Sequence, residues 1–368
     1  MVFRIEPPLF QHVLTKRINL ALRHLNDERN EKLQYLLPNG YKVDYPKSEQ
    51  AFYLITIIKS LFEHDRFARR LIVGLAGRNI RKALEIFLEF CNSGYISEEH
   101  IFKIRQSEGQ YVLPFHLVAT VLLRMNRRFY DGDHSFVKNI FDAKNADEKP
   151  SYFCRYLILI WLKQRFKTKG DARIEGYYKK ITVKDSLVGY GLSSDIIDRE
   201  INYLLRAHCI IAEHLKIDEC SDEDLIRIGP AGIVHLDLID NVNYLAALSE
   251  DTYFSDRFTA EEILHKINKG LGSHLHLKTT ISNAENFINF IEDQKKDLLS
   301  ICGSYINNEK LLNMLNFAES RKAIDRVKMS NSHDPWFDAD KKLIRGSKHQ
   351  VIAINKYDYG ILVEFKEG

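Results

Sequence analysis

The chain is 368 residues long, enough for two or three domains. Its formal net charge of +3 excludes a globally basic protein, so nucleic acid would have to meet a local patch. Its five cysteines are scattered and form no Cys-x-x-Cys pair, which argues against a zinc site or a disulfide framework and fits a reducing cytoplasm. No signal peptide is expected, and no apolar run is long enough to span a bilayer.

In chain order, Val2–Pro8 reads as a strand end interrupted by two prolines. A helix is expected over 9–26, and an amphipathic helix pair over 47–73 with Phe52, Leu54, Ile55, Ile58, Leu61 and Phe62 on one face. Residues 79–92 read as the central helix, capped by Asn79 and stopped by Gly94. Its expected buried stripe is Ile80, Ala83, Leu84, Phe87, Leu88 and Cys91. Arg78 and Arg81 then lie at a helix start, where a cation is unfavourable without an anionic partner. They are either solvated surface residues or neighbours of a bound anion such as a nucleotide phosphate. A short helix opens at Ser97, and another spans 110–130, ending in the cluster Arg124, Arg127 and Arg128.

The order changes after 150. Ser151–Phe166 reads as an apolar helix, and a basic, aromatic loop follows with Lys167, Lys169, Arg173, Tyr177, Tyr178, Lys179 and Lys180. Helices at 182–188 and 193–208 flank a Gly189-Tyr-Gly191 turn, and strands at 209–215 and 225–228 flank an acidic turn. This helix–helix–turn–helix–hairpin order is that of a winged helix. The expected recognition helix is mixed in charge, with Asp195, Asp198, Arg199, Glu200, Asn202 and Arg206, and the acidic wing tip opposes phosphate. Three uses stay open: duplex binding by helix and wing, protein docking, and binding through the 163–184 loop. Residues 253–335 read as a helical connector, with capping-box starts at Thr259-x-x-Glu262 and Ser282-x-x-Glu285. His274 and His276 alternate with leucines, with no carboxylate or cysteine at a matching spacing for a metal. Residues 346–368 alternate as strand, turn, strand.

Gly77-Arg-Asn-Ile-Arg-Lys-Ala-Leu84 is similar to the sensor-2 stretch in the helical lid of AAA+ ATPases, in the origin-recognition and STAND-like branch. Arg78 is an extra residue after the glycine, and Asn79 stands where the family has aspartate. The resemblance implies that Arg81, with Arg78 beside it, reaches a nucleotide's terminal phosphates. Phe3–Ile18 resembles the passage from the last core strand into that lid, and 224–254 resembles the wing and closing helix of STAND-like bacterial ATPases. The tail resembles the opening strands of cold-shock OB barrels, which implies stacking and phosphate roles for Lys356, Tyr357 and Tyr359. Two strands make no such barrel, so the tail is either a truncated OB fold or a structural cap.

The expected fold is therefore mainly α: a lid-like helical domain (1–150), a winged helix (151–252), a helical connector (253–335) and a C-terminal β-hairpin (336–368). No Gly-x-x-x-x-Gly-Lys-Ser/Thr loop and no nucleophile–base motif appears. The expectation is no catalysis and no cofactor in this chain alone, with ATP entering only through an ATPase core supplied upstream or by a partner. One functional reading is the regulatory, nucleic-acid-binding portion of a STAND-like ATPase, docking DNA, RNA or a protein. The alternative is a stand-alone winged-helix regulator with no nucleotide role. The sequence sets no oligomeric state.

Overall fold

The computed structural model describes residues 57–77, 79–108, 110–143, 151–213, 220–270, 276–302 and 305–331, most with their side chains. It describes the backbone alone of 32–36, 42–46, 349–357 and 360–367, and isolated helical positions between 12 and 23 and at 55. The protein is mainly helical, with a small three-stranded antiparallel sheet. It forms two compact units, Met1–Val121 and Leu122–Gly368.

In the first unit, β1 (Lys32–Leu36) and β2 (Lys42–Pro46) pair antiparallel. A π-helical turn at Lys59–His64 leads to α1 (Arg66–Ala76), whose first turn is capped by Asp65 accepting the N–H groups of Phe67 and Ala68 at 2.9 Å. Gly77 ends α1 at φ +61°, a conformation that costs a side chain free energy, and the chain reverses into α2 (Ile80–Asn92). Asn79 caps α2, its Oδ1 accepting the Lys82 N–H at 3.2 Å. The buried face of α2 is Ala83, Ile86, Phe87 and Phe90, rotated from the expected stripe; Leu88 is 53% exposed. The aromatic rings decide the rotation, since burying Phe87 and Phe90 together removes more apolar area than burying Leu84 and Leu88. The unit continues through α3 (Glu98–Gln106) into α4 (Phe115–Arg124), which is shorter than the expected 110–130. Met125 at φ +54° ends it.

The second unit begins with an irregular stretch, 125–143, that forms part of its core. The Tyr130 hydroxyl donates to the Val137 carbonyl at 2.9 Å. Phe141 sits at ring-centroid distances of 5.3 Å from Tyr156, 5.7 Å from Phe287 and 5.9 Å from Phe317, joining two later helices and the turn before the helix Ala318–Asn331. Then follow α5 (Cys154–Gln164), β3 (Tyr178–Lys179), α6 (Lys180–Val188), α7 (Ser194–Arg206), β4 (Ile210–Ala212) and β5 (Leu225–Ile228). The strand order is β3–β5–β4, all antiparallel, with Tyr178 opposite Ile226 and Ile211 opposite Arg227. Ile197, Ile201, Leu204 and Leu205 recur at helical spacing and bury the inner face of α7.

Four further helices complete the described core: α8 (Pro230–Leu238), α9 (Val242–Asp251), α10 (Arg257–Gly270) and the long α11 (His276–Ile301). They are followed by α12 (Tyr305–Met314) and α13 (Ala318–Asn331). Asp256, not Thr259, caps α10: its carboxylate accepts the N–H groups of Phe258 at 3.3 Å and Thr259 at 2.8 Å. Ser282 starts no helix. It lies inside α11, because the apolar period Ile281, Ala284, Phe287, Ile288, Ile291 runs through it without a glycine or proline. His276 opens α11 rather than an extended piece, and His274 lies outside the described residues. At the C-terminus β6 (His349–Tyr357) and β7 (Gly360–Glu367) pair as an antiparallel hairpin.

Candidate nucleic-acid interface

Between α5 and β3 the chain forms a small hairpin, 166–177, that carries the exposed cations the sequence pointed to. Its arms are tied by the Gly176 N–H donating to the Thr168 carbonyl at 2.8 Å and the Gly170 N–H to the Ile174 carbonyl at 3.0 Å, with Lys169 opposite Glu175. The tip is the turn Asp171–Ile174, closed by the Ile174 N–H on the Asp171 carbonyl at 3.4 Å. Ala172 and Arg173 both have positive φ, +53° and +60°, as in a type I′ turn where glycine and asparagine are usual. Gly170 is required by closeness: a Cβ there would stand 1.8 Å from the Tyr177 carbonyl oxygen.

The base of this hairpin is fixed. Trp161 meets Tyr178 edge-on at 5.0 Å, the Arg165 guanidinium lies 4.0 Å from the Trp161 ring, and the Thr168 and Tyr178 hydroxyls are 2.5 Å apart. The Asp171 carboxylate turns inward, accepting the Lys179 N–H at 2.8 Å and the Thr182 hydroxyl at 2.7 Å. Lys167, Lys169 and Arg173 are exposed and, among the described residues, join no ion pair. Phe166 and Ile174 beside them are 36% and 39% exposed.

Lys179 and Lys180, expected in the same basic surface, are both paired with acids, Lys179 at the surface and Lys180 inside. Lys179 pairs with Glu223 at 2.5 Å. Lys180 is buried, its ammonium 2.7 Å from Asp198 and 2.9 Å from the Cys220 carbonyl. Lys184 lies 2.9 Å from Asp198 and 3.3 Å from Asp222. Burial raises the Asp198 carboxyl, but Lys180 and Lys184 override it and hold the group below its usual range. The same network neutralises Asp222 and Glu223, two of the acids that set the expected repulsion at the wing. Asp218 and Glu219 lie outside the described residues.

The outer side of α7 is narrow. Asp195, Arg199 and Arg206 are exposed, and Asn202 is half-buried with its Oδ1 accepting the Cys220 N–H at 3.3 Å. One flank is covered by the 125–143 stretch. There the Tyr203 hydroxyl donates to Asp133 at 3.1 Å, while Glu200 pairs with Arg155 of α5 at 2.5 Å. Arg155 also reaches Asp142 at 3.1 Å and the Asn139 carbonyl at 2.7 Å, and lies 3.7 Å from the Tyr203 ring. Burial lowers the pKa of Arg155, and Glu200, Tyr203 and Asp142 more than offset this. Arg199 bonds Glu200 at 2.9 Å. Of the terminal arginine cluster, Arg124 is taken up by Glu250, whose other oxygen accepts the Tyr130 N–H at 2.7 Å.

Arg81 is exposed on the first turn of α2, and Arg78 lies outside the described residues. Lys356 and Tyr357 fall on the backbone of β6; their side chains, and Tyr359 altogether, lie outside the described residues. An open cleft of about 300 Å³ beside α10 and α11 is lined by Asp256, Glu262, Asn286, Phe290 and Asp293. Among the described residues no three His, Cys, Asp or Glu side chains are placed to hold a metal ion, and no helix is long and apolar enough to cross a membrane. The Ala172–Arg173 tip was missed from sequence; Gly170 and Gly176 bracketing Asp-Ala-Arg-Ile-Glu were its signal. In comparisons with known proteins, no family, curated protein or solved structure matches this chain.

Proposed function

We propose that the chain is a regulatory docking portion of a STAND-like ATPase, with a lid-type first region and a winged helix over 151–252. The observation that carries this is the order α5, β3, α6, α7, β4, β5 with the strand order β3–β5–β4. A turn of Gly189–Ser193 between α6 and α7 fits a helix-turn-helix pair. The narrow outer strip of α7, mixed in charge, suits a protein partner better than a major groove, which takes a helix bearing several donors to base edges. Arg81, exposed at the start of α2, is the residue assigned to a nucleotide held by an ATPase core outside this chain.

The test is hydrogen exchange of the chain bound to such a core, with and without ATP. Slower exchange over 79–92 on adding ATP, lost in Arg81→Ala, supports the reading. Equal exchange in the parent and the variant overturns it. A second reading, a nucleic-acid-binding regulator with no nucleotide role, is favoured by the exposed cations of the 166–177 hairpin.

A further inference from the structure

We infer that the 166–177 hairpin is a contact site for the phosphate backbone of nucleic acid, made by Lys167, Lys169 and Arg173. The inference stands on the hairpin and is independent of the nucleotide-sensing reading. Lys167 lies in the turn that leaves α5, where the Thr168 N–H donates to the Arg165 carbonyl at 3.1 Å, and Lys169 follows on the first arm of the hairpin. Each strand of a duplex carries a phosphate about every 3.4 Å of helix axis, so two exposed lysines on flexible stems, two residues apart in the chain, can reach neighbouring phosphates. Arg173 stands at the tip, where a planar fork of donors suits a phosphate.

The electrostatics select these three. Lys179, Lys180 and Lys184 are neutralised by Glu223, Asp198 and Asp222. The Asp171 carboxylate is withdrawn by the Lys179 N–H and the Thr182 hydroxyl. Glu175, opposite Lys169, is the carboxylate left on the arms, so it weakens the patch without cancelling it. An anionic membrane is the poorer partner, because Phe166 and Ile174 offer little apolar surface to bury.

The tip geometry separates binding from folding. Ala172 and Arg173 hold left-handed conformations that glycine adopts without strain. Arg173→Gly therefore raises the unfolding midpoint while removing a cation, and Ala172→Gly raises it with no change in charge. Loss of binding in the first and not the second cannot come from unfolding.

The experiment is fluorescence anisotropy of the full chain with duplex DNA, single-stranded DNA and single-stranded RNA over a salt series, and with vesicles of anionic phospholipid. The parent is expected to bind nucleic acid with a log–log salt slope of about −2 to −3, the value for three phosphate contacts. Arg173→Gly and the pair Lys167→Ala/Lys169→Ala each weaken binding several-fold at low salt and flatten the slope. Glu175→Gln tightens binding, and Ala172→Gly leaves it unchanged. The preferred strand type identifies the source of the phosphates. Four results overturn the inference: no binding of nucleic acid at low salt, binding unaffected by the hairpin variants, binding lost only in Arg199→Ala/Arg206→Ala, or binding to vesicles alone. The third would instead favour a groove-reading α7.

Discussion

Arg155 and Glu200 meet at 2.5 Å with both side chains nearly inaccessible to water, and the bond joins α5 to α7. Removing one member of a buried pair leaves the other charge desolvated and uncompensated, at a cost of about 3–5 kcal/mol. Glu200→Gln keeps the shape and a hydrogen-bond acceptor, and Asp142 continues to balance the guanidinium, so its cost falls at the low end. Arg155→Met strands two carboxylates and falls at the high end. Urea unfolding followed by the fluorescence of Trp161, buried on α5, orders the two variants. Equal, small losses would mean that the pair is not a stabilising link.

The carboxyl of Glu250 gives a pH signature. Burial raises it above its ordinary value of 4.5, against the opposing pull of Arg124 and the Tyr130 N–H. A group with a raised folded value binds its proton more tightly in the native state. Stability therefore falls as pH rises from about 4.5 to that raised value, and is level above it. Asp251, also raised by burial from 3.8, adds a decline that begins lower. Glu250→Gln is expected to remove the share of the decline due to Glu250 and leave that due to Asp251. Unfolding midpoints between pH 4 and 8 measure this, and parallel profiles for parent and variant would contradict it.

Asp198 behaves in the opposite sense. Its folded value lies below 3.8 because Lys180 and Lys184 outweigh its burial. The stability it supplies is present above about pH 4 and lost as pH falls through the lowered value. Lys180→Gln should destabilise by about 3 kcal/mol near neutral pH and shift acid unfolding to higher pH. The same variant should leave nucleic-acid affinity unchanged, since the ammonium faces inward. Paired acid-unfolding and anisotropy measurements check both halves.

The two helix starts of the connector make a simple contrast. Asp256→Ala removes a cap that accepts two N–H groups and should lower the unfolding midpoint measurably. Ser282→Ala, inside α11, should change stability by less than about 0.5 kcal/mol. Thermal unfolding distinguishes them, and a larger effect at Ser282 would restore it as a helix start.

Local periodicity made the helices legible. The spacing of Ile197, Ile201, Leu204 and Leu205 marks α7, and the run at 225–228 marks β5. Patterns that depend on distant partners were not legible. Arg155 reads in sequence as an interruption of an apolar run, because Asn139, Asp142 and Glu200 are needed to show why it is buried. β3 is two residues long and owes its pairing to β5 rather than to its own composition. Ser282-x-x-Glu285 matches a capping box by letter, yet the continuing apolar period outweighs a cap. At the candidate interface, the cations were visible as residue types. Which of them stay in solvent depends on Asp198, Asp222 and Glu223, acids read from sequence only as part of a mixed-charge helix and a repulsive wing tip.

The interleaving of 125–143 with the helices after it sets where the polypeptide tolerates division. A fragment starting at Ser151 would lack the Lys138 N–H that the buried His235 ring accepts at 2.7 Å and the Lys138 carbonyl that takes the Tyr244 hydroxyl at 2.7 Å. It would also lose Asp142 and the Asn139 carbonyl from around the Arg155 guanidinium, leaving Glu200 as its sole remaining anion in that network. Such a fragment would open at the seam between α5, α8 and α9 and expose the Phe141 socket as adhesive surface. A fragment starting at Leu122 keeps every one of these bonds, so recombinant dissection and protease mapping should both find their stable edge upstream of the irregular stretch rather than after it.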